Sequence, residues 1–119
     1  MSRRIERLND QFREEISYLL RRQVKDPRLG GLITVTHVET SADLAHAKVF
    51  VSVLGSEEER EETLKGLEAA AAFMRHELSR RLSLRRTPRL SFRRDDSLEQ
   101  GAHVLDLLRE VEEQEKGPG

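Results

Sequence analysis

The chain predicts an α+β fold in which helices cover one face of a small sheet. Three observations predict it: apolar residues recur at helical spacing in three stretches, two β-branched-rich runs lie only four residues apart, and a short alternating segment follows the second helical stretch. The order read from these is α-β-β-α-β-α.

Residues 3–24 read as an amphipathic helix, because Ile5, Leu8, Phe12, Ile16 and Leu19 recur at three- and four-residue steps. Asp26-Pro27 ends it, since proline cannot continue the ladder and restricts the residue before it. Gly30-Gly31 then permits a tight turn. Leu32 to Thr40 and Ala45 to Leu54 are the two strand candidates, joined through Ser41 to Leu44 as an antiparallel hairpin. In the second, Ala47, Val49, Val51 and Val53 share one face, and Lys48, Phe50 and Ser52 share the other. Gly55 ends that strand. Ser56-Glu57-Glu58-Glu59 has the pattern of a capping box and places acids at the positive end of the next helix. Leu64, Leu67, Ala71, Met74 and Leu78 keep helical period to about Leu82, and spacing alone draws one long helix. Thr87-Pro88 breaks it, and Leu90 and Phe92 then alternate with Arg89, Ser91 and Arg93 as a third strand. A second capping box, Ser97-Leu98-Glu99-Gln100, opens a last helix with Leu98, Ala102, Leu105, Leu108 and Val111 as its apolar stripe. Residues 1–111 are expected to form a single domain and 112–119 a short polar tail.

With 119 residues, 36% hydrophobic content and five aromatics, the core is expected to be aliphatic. The absence of cysteine excludes disulfides, cysteine-based zinc sites and thiol nucleophiles. His37, His46, His76 and His103 show no ligand spacing, so no metal or other cofactor is expected. Ser41, Asp43 and His46 sit in or beside the hairpin turn, where Ser and Asp are ordinary turn formers rather than a triad. No Gly-rich loop follows a strand, which leaves nucleotide hydrolysis unsupported. No apolar run approaches the roughly 20 residues needed to span a bilayer. The expectation is a cytoplasmic binding protein, not an enzyme, with no membrane partner and no small-molecule substrate.

The charge is segregated. The protein has 21 basic and 22 acidic residues, yet between Met74 and Arg94 eight arginines (Arg75, Arg80, Arg81, Arg85, Arg86, Arg89, Arg93 and Arg94) stand against one acid, Glu77. A concentrated cationic surface on a neutral protein favours a polyanion, because field strength is local while solubility follows net charge. Arginine outnumbers lysine 17 to 4, and its planar fork suits phosphate. The bland alternative is a solvated helix face followed by an edge strand blunted with charge. Lys25 and Arg28 flank the Asp26-Pro27 turn and either extend the cationic face or, for Lys25, serve the helix end.

The words within this order resemble the ribosome-binding factor A family of bacterial small-subunit maturation factors. The resemblance covers roughly residues 3–111. It rests on Lys25-Asp26-Pro27-Arg28-Leu29-Gly30, on the hairpin from Thr34-Val35-Thr36 through Asp43-Leu44 to Ala47–Gly55, and on Leu84-Arg85-Arg86-Thr87-Pro88. Leu90-Ser91-Phe92 followed by Asp95-Asp96-Ser97 and Gly101 completes it. It implies a type II KH-like fold: α-β-β-α(kink)α-β with a C-terminal helix, the helices on one face of a three-stranded sheet. It also implies a monomeric ribosome biogenesis factor that binds the free or immature 30S subunit. The partner would be 16S rRNA near its 5′ end and the neck, and the role would be late maturation and rRNA processing.

The family's kink carries Ala-x-Gly, and the aligned positions here are Ala70-Ala71-Ala72, without glycine. Alanine is the better helix former by about 1 kcal/mol, so the helix is either straighter there or bent by packing. Gly66 is the only glycine between Ser56 and Gln100, so the Gly-x-x-Gly clamp of ordinary KH domains cannot form. Phe12, Tyr18, Phe50, Phe73 and Phe92 are spread singly and read mostly as core, which gives little support to a stacking platform. Recognition of structured RNA through phosphate contacts and shape remains. The alternative reading is a protein-interaction module whose acidic helices, Glu57 to Glu68 and Ser97 to Glu115, bind a basic ribosomal protein.

Overall fold

A computed structural model of the chain describes residues 3–22 and 33–97. Within them the order is α1 (Arg3–Arg22), β1 (Ile33–Thr40), β2 (His46–Val53), α2 (Glu57–Leu82) and β3 (Arg89–Arg94). The strands form one mixed sheet in the order β1-β2-β3, β2 antiparallel to β1 and parallel to β3. The expected last helix and polar tail lie outside the described residues.

The alternation in β2 decides which face is covered. Ala47, Val49, Val51 and Val53 are buried with Leu90 and Phe92 of β3 and Val35 and Val38 of β1. Phe12, Ile16 and Leu19 of α1, with Leu67, Met74 and Leu78 of α2, complete the core. Each of these side chains larger than alanine contributes about 1.5–3 kcal/mol on full burial. Val35 and Val38 are three residues apart yet share the inward face, because the register slips between Val35 and His37. Thr36 is the extra residue of this β-bulge, and the slip re-phases everything after it.

Helix α2 starts as its sequence dictates. Ser56 Oγ accepts from the Glu59 backbone N–H at 3.2 Å, and Glu59 Oε1 accepts from the Ser56 N–H at 3.3 Å. Gly55 is required in front of this box: its φ is +140°, and a Cβ there would come within 3.1 Å of Glu59 Oε2. The helix ends at Ser83, which takes a left-handed conformation with φ 51° and donates its N–H to the Ser79 carbonyl.

Between those ends α2 is a single helix of 26 residues. Ala70, Ala71 and Ala72, where the resemblance implies a kink, all lie within one helical run, and none has positive φ. Alanine at all three positions leaves the backbone no glycine at which to interrupt the ladder.

Candidate nucleic-acid interface

The eight arginines of residues 75–94 divide by what they touch. Four are engaged within the fold. Arg75 donates from Nε and Nη2 to the Thr87 carbonyl, at 3.1 and 3.0 Å, and so fastens the loop after α2 back onto the helix. Arg80 Nη2 donates to Glu77 Oε2 at 2.8 Å, which holds the largely buried Glu77 carboxyl below the usual carboxylate range. Arg81 Nε lies 2.7 Å from Glu15 Oε2, and its guanidinium carbon sits 4.4 Å from the Tyr18 ring centroid, joining the end of α2 to α1. Arg94 forms a bidentate pair with Glu57, at 2.6 and 2.9 Å, and reaches Asp96 at 3.2 Å.

The other four have no carboxylate partner among the described residues. Arg86 makes only a long 3.4 Å contact to the Asp43 carbonyl. Arg85, Arg89 and Arg93 are exposed, and none of their side chains has a hydrogen bond or ion pair with a described residue. Arg85 and Arg86 stand on the loop between α2 and β3. Arg89 and Arg93 stand on the face of β3 opposite Leu90 and Phe92, which are buried. Arg85 also lines a shallow groove of about 350 Å³ with Ala72, Arg75, His76, Ser79 and Thr87. The structure thus brings four cations to one end and one edge of the sheet and withdraws four from the pool counted in sequence. Lys25 and Arg28 lie outside the described residues.

The acids of α2 are mostly engaged too. Glu57 receives Arg94, Glu59 closes the capping box, and Glu62 pairs with Lys65 at 3.3 Å. Glu68 Oε1 accepts the Phe92 backbone N–H at 3.0 Å, which occupies a donor on the outer edge of β3. Little of this helix's acidity is left for a basic protein partner.

Two of the five aromatics lie outside the core. Phe73 is 43% exposed and outside the core. Phe50 is half-buried on the face of β2 away from the helices, where its ring stacks on His37, with centroids 4.2 Å apart and planes 6° from parallel. The bulge at Thr36 is what turns His37 to that face, and no periodicity count reveals it.

Among the described residues no cluster of His, Asp or Glu is arranged to hold a metal ion. No described helix is long and apolar enough to cross a membrane.

A three-stranded mixed sheet, backed on one face by two helices and edged by uncompensated arginines, defines a small α+β domain of KH-like topology. The chain belongs to the ribosome-binding factor A family, whose family model matches residues 4–108. A ribosome-binding factor A from Acetivibrio thermocellus is 47% identical over 114 residues, covering 96% of this chain and 93% of that protein. The crystal structure of ribosome-binding factor A from Thermus thermophilus has a TM-score of 0.67 at 31% identity, covering 76% of this chain and 93% of that one. A homology model of Thermus thermophilus ribosome binding factor A, fitted into a cryo-EM map of a 30S complex, superposes with a TM-score of 0.61 at 31% identity, covering 74% of this chain and 91% of that one.

Proposed function

We propose that this protein is a ribosome biogenesis factor that docks as a monomer on the free or immature 30S subunit. It contacts 16S rRNA near the 5′ end and the neck, assists late maturation and rRNA processing, and leaves when the subunit joins translation. The observation that carries this reading is family membership across residues 4–108. The placement of the Thermus thermophilus relative in a 30S complex supports it. So does the set Arg85, Arg86, Arg89 and Arg93, whose charge is not spent on the fold.

The mechanism follows from what the chain has and lacks. It has no Gly-x-x-Gly loop through which a backbone approaches phosphates closely. Guanidinium contacts to the phosphate backbone of structured RNA take that place. No reaction is performed. A factor that binds one rRNA conformer more tightly than another shifts the population by that difference in affinity, and no further. Cosedimentation with purified 30S subunits and with 70S ribosomes tests the reading. Binding to 30S and exclusion from 70S is the expected result, and equal cosedimentation with both removes the assembly-factor role.

A further inference from the structure

The sheet face turned away from the helices carries a pattern that the reading above does not use. In its central row His37 of β1, Phe50 of β2 and Arg93 of β3 are direct register neighbours. The next row holds Glu39, Lys48 and Ser91, and the row beyond it pairs His46 with Arg89. Lys48, Arg89 and Arg93 are exposed, and none of their side chains has a hydrogen bond or ion pair with a described residue. The His37 side chain is 48% exposed, so the imidazole end of the ring stack is open to solvent.

The two carboxylates near the ring stack, Glu39 on β1 and Asp95 just past β3, both face His37. Glu39 Oε1 lies 3.5 Å from His37 Nε2, and Asp95 Oδ2 lies 3.8 Å from His37 Nδ1. The cations of this face, Lys48 on β2 and Arg89 and Arg93 on β3, make no side-chain hydrogen bond or ion pair with a described residue. A flat aromatic pair beside three cations without side-chain partners is the complement of a single nucleic-acid strand, whose bases stack and whose phosphates seek cations. A duplex keeps its bases stacked on one another and presents none to a ring.

We propose that this open face is a second RNA-contact surface that takes single-stranded RNA. One unpaired base extends the His37–Phe50 stack, and the flanking phosphates run along Lys48, Arg89 and Arg93. The proposal rests on the small-subunit reading for the source of the strand, but not for the chemistry of the contact. It adds base stacking to a mode of recognition otherwise built on phosphate and shape.

An eight-nucleotide single-stranded RNA carrying 2-aminopurine at its centre tests it, because stacking on a ring quenches that fluorophore. The full chain is expected to bind the strand and quench it, and to leave a duplex of the same sequence unquenched. Phe50→Leu retains apolar bulk at a half-buried position and should weaken binding about 5- to 150-fold while abolishing the quench. Arg93→Ala should instead keep the quench at saturation and flatten the log–log salt dependence by up to roughly 0.7 for a single strand. Should Phe50→Leu fail to fold by circular dichroism, His37→Ala, at the exposed ring, replaces it and should reduce the quench. No quench with the wild-type chain overturns the proposal, as does a quench unchanged in the folded ring variants. Parallel cosedimentation separates the two readings. A chain that binds 30S but does not quench loses only this surface, and one that quenches but does not bind 30S loses only its assignment to the subunit.

Discussion

Arg94 Nη1 lies 2.6 Å from Glu57 Oε2, and Nη2 lies 2.9 Å from Glu57 Oε1, so this fork ties the end of β3 to the first turn of α2. Its sequence neighbour Arg93 points to the opposite face of the strand and has no partner among the described residues. Strand alternation has divided one Arg-Arg pair into a structural member and a free one.

That division has a measurable consequence. Arg94→Ala should lower stability by about 1 kcal/mol, since bidentate geometry is the case in which an ion pair contributes. Arg93→Ala should stay within about 0.5 kcal/mol of wild type. Urea denaturation of both variants checks this, and equal losses would erase the distinction.

The end of α2 offers a stabilising change. Ser83 holds φ 51°, where a residue with a Cβ is strained by about 1 kcal/mol and glycine is not. Ser83→Gly should therefore stabilise by a few tenths to about 1 kcal/mol, after the entropy gained by the unfolded chain is set against the strain relieved. A fall in melting temperature would contradict this account of the cap.

Ala72 has the opposite sign. It is exposed, lies inside the continuous α2 and does not have positive φ. Ala72→Gly should destabilise by about 0.5–1 kcal/mol through unfolded-state entropy and lost helix propensity. A rise in melting temperature would show that the backbone there departs from a helix.

Asp95 predicts a pH dependence. Hydrogen bonds from Ser97, and from Thr36 Oγ1 at 2.7 Å, hold its carboxyl at about 2, below its ordinary 3.8. Because the folded value is the lower one, this stabilisation is present above about pH 4 and is lost as pH falls toward 2. Asp95→Asn should reduce stability at pH 7 by about 1–2 kcal/mol, since charged acceptors make the stronger hydrogen bonds. Its deficit relative to wild type should shrink on acidification. A deficit that is constant between pH 6 and pH 2.5 would mean that the charge is not what Thr36 and Ser97 hold.

The order of the five described elements, the inward face of β2, the capping box at Ser56 and the uninterrupted period of α2 were legible in the sequence, because each is set by residues within a few positions of one another. Two features were not. The bulge at Thr36 changes the phase of β1 by a single residue, which a pattern of eight residues cannot distinguish from an irregular strand. The engagement of Arg81 and Arg94 depends on Glu15 and Glu57, which lie 66 and 37 residues away in the chain. A tally of charges within residues 74–94 therefore overstates the cations available to a ligand.

The central claim is that the arginines left without carboxylate partners face rRNA phosphate. The salt dependence of 30S binding, compared between wild type and the Arg85→Ala/Arg86→Ala double variant, tests it most directly. Each phosphate contact contributes a log–log slope of up to roughly −0.9, somewhat less for irregular RNA. The account predicts weaker binding, a slope flatter by about one to two units, and nearly unchanged folding, because exposed charges of this kind contribute little stability. An unchanged affinity with an unchanged slope would contradict it and return Arg85 and Arg86 to a solvated surface.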